Sequence, residues 1–220
     1  AEAQQNHIVS QQDFSGGLNT FIAPVLLDPT ESPSLGNVIV DAGGVKRRKG
    51  YAKLNSTQIG GSSDPVNGIF ELQQSDGDKY CIAFSSTNGY YSADGCQTFT
   101  TFITTLTRNN DVNCAPYNDA LYCANNQYNF YVNGTDDSLF TTAPANLDYI
   151  QVHRNRCFAA GTDATPYRLF WSALGNCNSW TTGTDYVDLD TLAGDVVTGI
   201  GEPLYGMLPI YTLYSIWMLK

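Results

Sequence analysis

A strand–gap–strand pattern that returns three times constrains this chain more than any other feature. Lys79-Tyr-Cys-Ile-Ala-Phe-Ser-Ser-Thr-Asn-Gly-Tyr-Tyr-Ser92 predicts strands at Tyr80–Phe84 and Gly89–Ser92, followed by a tight Asp-Gly turn. Leu121-Tyr-Cys-Ala124, then Tyr128–Gly134, repeats the order. Arg156-Cys-Phe-Ala-Ala-Gly161, then Arg168-Leu-Phe-Trp-Ser-Ala-Leu-Gly-Asn-Cys-Asn-Ser-Trp180, repeats it with the turn included. Four units follow: Val66 to Thr104, Asp111 to near Phe140, Asp148 to near Leu189, and Asp195 onward. Starts spaced by roughly 37 to 47 residues, with about four short strands per unit, are the signature of β-propeller-type repeats. The predicted fold is therefore all-β: about three and a half four-stranded blades over residues 61–220, preceded over residues 1–60 by an extended Pro-rich arm and a β-hairpin. Propellers close with about four to eight blades. An open last blade would bare strand edges and the apolar Leu213, Ile216, Trp217 and Leu219. The expectation is that these residues begin a longer polypeptide, or that another chain completes the ring.

Residues 1–13 are polar and without periodicity, which predicts a flexible or partner-ordered arm. Pro24, Pro29 and Pro33 then disfavour helix and suit an extended path. Asn37–Val40 and Val45–Tyr51 flank a turn at Asp41–Gly44 and predict a hairpin. Its return strand holds Lys46, Arg47, Arg48 and Lys49, the candidate subunit-interface or charged-contact residues. In a strand these four side chains alternate between faces, so no single face carries all four charges. Two readings stay open: a charged strand that resists edge-to-edge pairing or meets acids on a neighbouring subunit, and contact with DNA phosphate or another charged surface.

The net charge of −10 is unevenly placed. Five of the 21 acids and five of the 11 bases fall in residues 1–60, so residues 61–220 carry 16 acids against 6 bases. Such a body argues against tight binding to nucleic-acid backbone, which needs clustered Lys and Arg. The first twenty residues have neither a basic start nor an apolar run of the leader type. Met207–Leu219, interrupted by Pro209, Thr212 and Ser215, is too short and too polar to cross a bilayer, so no membrane insertion is expected.

Among the six cysteines, Cys81, Cys123 and Cys157 share one place in successive repeats, Cys96 and Cys177 share a second, and Cys114 has no counterpart. Equivalent places in neighbouring repeats are similar environments more often than bonded partners, which favours buried or half-buried free thiols. No Cys-x-x-Cys pair exists, and His7 and His153 are the only histidines, so no metal site, cofactor or catalytic residue is expected. Asp76-Gly-Asp78 and Asp136-Asp137 read as turns, not as a calcium ligand set. Ser92-Ala-Asp-Gly-Cys-Gln-Thr-Phe99 resembles the Asp-box hairpin of many propellers, and Ser172-Ala-Leu-Gly-Asn-Cys-Asn-Ser-Trp180 is a degenerate copy. The candidate turn residues are Ser92, Asp94, Gly95 and Phe99, with Ser172, Gly175 and Trp180 in the copy. The Ser and Asp side chains would satisfy turn amides and the aromatic would pin the hairpin.

Five stretches together resemble a tailed-bacteriophage structural protein of the tail-nozzle or tail-hub type. They are Phe14-Ser-Gly-Gly-Leu-Asn19, Glu31-Ser-Pro-Ser-Leu-Gly-Asn-Val38, Gly43-Gly-Val-Lys-Arg-Arg-Lys-Gly50, Arg168–Asn176 with nearby Trp180, and Tyr214-Ser-Ile-Trp-Met-Leu219. The likeness runs over nearly the whole chain, and the first three stretches are the more specific in order and spacing. It implies a non-enzymatic virion component with a β-propeller body. Such a component would be a homo-oligomer, hexameric in short-tailed phages, assembled in the host cytoplasm and docked to portal, adaptor or neighbouring tail proteins. Double-stranded DNA would pass on ejection without sequence-specific binding, along acidic walls that repel its backbone. The chain departs from that family in its short length and its six cysteines.

Two other classes make different demands. A receptor- or glycan-binding tail propeller would cluster exposed aromatics such as Tyr90, Tyr91 or Trp180 around a pocket. A glycosidase of the sialidase type would need an arginine clamp and a Phe-Arg-Ile-Pro motif. Residues 61–220 offer Arg108, Arg154, Arg156 and Arg168, with Tyr167-Arg-Leu-Phe170 in place of the motif and only Glu71 and Glu202 as glutamates.

Overall fold

The computed structural model describes residues 16–41, 44–55, 58–60, 64–106, 110–189 and 194–220. The chain divides into two compact units, Ala1–Lys53 and Leu54–Lys220. The arm expected over residues 1–13, His7, the tip of the hairpin turn at Ala42-Gly43, and Arg108 lie outside the described residues.

In the first unit, β1 (Gly17–Leu18) runs parallel to β2 (Glu31–Ser32). A 3-10 turn at Pro24–Leu26 lies between them, with proline at its start where no amide donor is needed. Asp28 closes the return: its Oδ1 accepts from Thr30 N at 2.9 Å and from Thr30 Oγ1 at 2.7 Å, which lowers its pKa. β3 (Val38–Asp41) and β4 (Gly44–Arg47) pair antiparallel, Ile39 opposite Lys46 and Val38 opposite Arg47. The return strand is shorter than the sequence suggests. It ends at Arg47, so Arg48 and Lys49 belong to the irregular chain beyond it, where the Arg48 guanidinium lies 5.2 Å from the Tyr51 ring centroid.

The second unit is a series of antiparallel meanders. β5 (Val66–Gln73), β6 (Lys79–Ser85), β7 (Asn88–Ser92) and β8 (Thr100–Ile103) form the first sheet in sequence order. β9 (Asn113–Tyr117), β10 (Ala120–Ala124), β11 (Asn129–Val132) and β12 (Asp137–Leu139) form the second. The third has five strands: β13 (Tyr149–His153), β14 (Arg156–Ala160), β15 (Arg168–Ala173), β16 (Asn176–Trp180) and β17 (Tyr186–Asp188). Its β15 pairs with β17 along one half and with β16 at its end. β18 (Val197–Ile200), β19 (Leu208–Thr212) and β20 (Ile216–Leu219) form the fourth. The described residues contain no α-helix, and the all-β class expected from the sequence holds.

Short polar connections suit this design. β9 and β10 are joined by Asn118-Asp119, with φ of 46° and 60°, and β13 and β14 by Arg154-Asn155, with φ of 45° and 64°. Two successive left-handed residues make the hairpin turn whose twist matches that of the strands. Asn and Asp tolerate it readily; Arg154 does so without that advantage.

The core lies between sheets. Along β10, Leu121 and Cys123 join Leu72, Ile82, Phe84 and Ile103 of the first sheet, whereas Ala120, Tyr122 and Ala124 join Ile150, Cys157 and Ala159 of the third. Along β14 the same alternation sends Cys157 and Ala159 to the second sheet's side and Phe158 and Ala160 toward Val197, Leu208 and Ile210. Period-two alternation with both faces apolar means that each inner sheet is covered on both sides. The first sheet's remaining face is open: Ile69 is 63% exposed, and Cys81 on that face is half-buried.

The free-thiol reading is corrected for four of the six cysteines. Cys114 is bonded to Cys123, its direct neighbour across β9 and β10, and Cys157 to Cys177. The repeat comparison grouped equivalent places correctly but missed that the two kinds of place face each other inside one sheet. Cys81 and Cys96 are free.

Candidate functional site

Between the second and third sheets, the residues that open these two repeats and Asn126 after β10 line a polar cleft of about 520 Å³: Asn110, Asp111, Asn126, Asp148 and Tyr149. Asn126, left-handed at φ 59°, follows β10, and its amide donates to Leu147 O at 2.8 Å. This turns its side chain to Asp148, where Nδ2 donates to Oδ1 at 2.8 Å. Beneath, the buried Asn125 donates from Nδ2 to the carbonyls of Asn110 and Asp111, at 3.3 and 3.4 Å, holding that segment against the β10–β11 turn. Asn113 Oδ1 accepts from Ile150 N at 2.8 Å and ties the first strands of the two sheets together. Gly161 makes room: a Cβ there would stand 2.7 Å from Asp148 Cβ, and its φ of 83° disfavours any side chain.

The electrostatics are those of a partly dry, acidic site. Burial raises the Asp148 pKa; the Asn126 hydrogen bond opposes this and the Asp163 charge adds to it. Burial likewise raises Tyr149, helped by Asp148 and Asp111. Asp163 is itself held by Asn146 Nδ2 at 2.8 Å. No Lys or Arg among the described residues lines the cleft. Among the described residues, no group of three His, Cys, Asp or Glu is placed to hold a metal ion. Carboxylates, amides and a phenol without a cation form a surface for hydroxyl and amine donors, and they repel phosphate or sulfate.

The residues singled out from sequence lie elsewhere. Lys46, Arg47, Arg48 and Lys49 are all exposed. In the turn after β7, Ser92 Oγ donates to Asp94 Oδ1 at 2.6 Å and accepts from Cys96 N at 3.0 Å. Asp94 Oδ1 also accepts from the amides of Gln97 and Thr98, at 2.9 and 3.0 Å, and Oδ2 accepts from Thr98 Oγ1 at 2.6 Å. Gly95 has φ 74° and Phe99 is half-buried. In the third sheet, Ser172 is buried and accepts from Cys157 N at 3.0 Å. Gly175 has φ 75°, and Trp180 donates from Nε1 to Cys177 O at 2.7 Å while stacking on Phe140. These are fold-closing contacts, far in kind from the cleft.

The aromatic platform required of a glycan-binding tail propeller is not formed by the residues named for it. Tyr90 and Trp180 are each only 8% exposed, and Tyr91 is half-buried. Arg168, a would-be clamp residue, is committed to Asp188 by two hydrogen bonds of 2.6 and 3.0 Å and lies over the Tyr186 ring. The cleft residues escaped sequence reading because Asp111 and Asp148 looked like turn residues. The signal that could have found two of them is the aspartate shared by the repeat starts at Asp111 and Asp148.

No protein family and no curated protein matches the sequence significantly. Among solved structures, the chain is similar to the extracellular domain of a putative one component system from B. thetaiotaomicron. The TM-score is 0.50 at 15% identity, covering 72% of this chain and 21% of that one. The chain thus spans about a fifth of the length of the structure it matches. The extracellular domain of a putative hybrid two component system from the same organism matches at TM-score 0.30 and 8% identity, over 74% of this chain and 32% of that one, too remotely to bear on the fold.

These findings correct the functional expectation. The tail-nozzle or tail-hub role, the tail-receptor alternative, the phage-tail vocabulary and the virion location all give way, because the fold's likeness is to the extracellular domain of a putative bacterial one component system.

Proposed function

We propose that Leu54–Lys220 is a run of propeller-type blades within an extracellular ligand-binding domain, and that its cleft receives a small, uncharged, hydroxyl-rich ligand. The observation that carries this reading is the Asn126–Asp148 pair at 2.8 Å beside Tyr149, in a cleft whose described lining residues include no base. An amide next to a carboxylate offers donors and acceptors at the spacing of vicinal hydroxyls, and a half-buried tyrosine offers a ring for an apolar sugar face. Two features support the setting: the likeness to an extracellular domain, and two disulfides, which persist in oxidising compartments.

The test is calorimetric titration of the protein with a panel of neutral mono- and disaccharides. At least one is expected to bind with Kd of about 1 mM or tighter, and Asp148→Asn to weaken it at least about tenfold, or 1.4 kcal/mol. Binding should also weaken toward acid, since the raised Asp148 pKa brings loss of its acceptor charge to a higher pH. Absence of binding across the panel, or equal binding by Asp148→Asn and Tyr149→Ala proteins, would overturn the reading.

A further inference from the structure

The two cysteines left free occupy places that are bonded two repeats further on. Cys81 lies on β6 opposite Ser92 of β7. Ser92 Oγ accepts from Cys96 N at 3.0 Å, which fixes the turn so that Cys96 comes back over the strand. In the third sheet Cys157 lies on β14 beside Ser172 of β15, donating from its backbone N to Ser172 Oγ at 3.0 Å. Cys177 returns from the turn and is bonded to it, with Cα atoms 5.3 Å apart. The two segments, Ser92-Ala-Asp-Gly-Cys96 and Ser172-Ala-Leu-Gly-Asn-Cys177, differ by Asp94 against Leu174 and by one inserted asparagine. Cys81 and Cys157 also face the same way, toward the side of the preceding repeat. The second sheet covers Cys157 there, whereas in the first sheet that side is an open cleft of about 610 Å³ lined by Ile69, Glu71, Tyr80, Cys81 and Cys96. Burial raises the pKa of the Cys81 thiol, and the neighbouring Cys96 thiol adds to the shift.

We propose that Cys81 and Cys96 are the site of a third disulfide, and that it is reduced more readily than Cys157–Cys177. A small-molecule or enzyme disulfide is the oxidant. The Cys96 thiolate attacks it, forming a mixed disulfide and releasing one thiol. Cys81 then loses its proton, attacks the Cys96 sulfur and displaces the second thiol, so two cysteine thiols and one disulfide become one protein disulfide and two thiols. Cys157 and Cys177 are 0% and 1% exposed, out of reach of reductant, whereas Cys81 and Cys96 are half-buried at the edge of a cleft. Exposure of this kind marks the labile bonds of a protein. The pair would staple the one turn whose covering side is open, and it stands independently of the ligand reading.

Incubation of the full chain with oxidised glutathione, followed by alkylation under denaturing conditions and peptide mapping, decides it. The expected result is no alkylated cysteine and a peptide cross-linked at Cys81 and Cys96. On graded reduction, alkyl groups should appear on those two residues before any appear on Cys157 or Cys177. Burial holds the Cys81 thiol up at about 12, so ring closure should quicken roughly tenfold per pH unit from about pH 7 to 9. In the Cys81→Ser protein, Cys96 should stop at the glutathione adduct with both other disulfides mapped intact. Two thiols still alkylated after full oxidation, two stable glutathione adducts on the unmutated chain, or Cys157–Cys177 opening first would each refute the proposal.

Discussion

The turn at Ser92–Phe99 and the hairpin at Ser172–Trp180 begin with nearly the same residues and are held by different forces. In the first, Asp94 gathers Ser92, Gln97 and Thr98 around one carboxylate, and the closure is wholly local. In the second, Leu174 stands where the acid would be and is 65% exposed. The segment opens into a strand, β16, whose Cys177 is bonded to β14 and whose Trp180 stacks on Phe140 beyond the second sheet at 6.5 Å. The reason lies in what covers each turn. The third-sheet hairpin has the second sheet beside it, so packing and a covalent bond hold it in place. The first-sheet turn faces an open side, so its own side chains must satisfy its amides.

Experiments that break this difference should rank as follows. Trp180→Ala removes a buried indole, its stack and its hydrogen bond to Cys177 O, and should lower unfolding free energy by about 3–5 kcal/mol in a urea titration. Replacing Cys157 and Cys177 together by alanine should cost about 2–4 kcal/mol, read in the same titration against reduced and oxidised parent protein.

Asp94→Asn acts through pH more than through size. Hydrogen bonds from Ser92 and then Thr98 hold the Asp94 carboxyl below the usual range. A folded-state pKa beneath the unfolded one gives stability that is present above about pH 4 and is lost as pH falls through the folded value. The variant should therefore show a flatter stability profile on the acid side, with the parent's advantage largest near neutrality. Leu174→Asp, which restores the acid to the third-sheet turn, should change stability by no more than about 0.5 kcal/mol, because the inserted Asn176 displaces the amides it would need to meet. A gain above about 1 kcal/mol would mean that the two turns are closer in geometry than their contacts indicate.

Much of the architecture was legible from the chain alone. The strands expected at Tyr80–Phe84 and Gly89–Ser92 lie within β6 and β7, and the repeat starts at Asp111, Asp148 and Asp195 each precede the first strand of a sheet by one or two residues. Short alternating apolar runs bounded by Asn, Asp and Gly leave little choice but antiparallel strands. The cleft was not legible. Asp111, Asp148 and Asp195 look alike in sequence, yet Asp195 is buried and spends its carboxylate on Thr212, Ser215 and Tyr214 at the β19–β20 turn. Asp148 shares only Asn126 and remains at the mouth of a cavity. Burial and orientation separate them, and neither is written in the residue type.

What the sequence by itself determined was the all-β class, the order of the strands and the equivalence of the cysteine places, because these follow from local periodicity and turn chemistry. The tertiary structure decided which cysteines are bonded, which turns hold themselves and which aspartate is free to meet a ligand. Those outcomes depend on how one sheet covers the face of the next, a contact between residues tens of positions apart that no local pattern records.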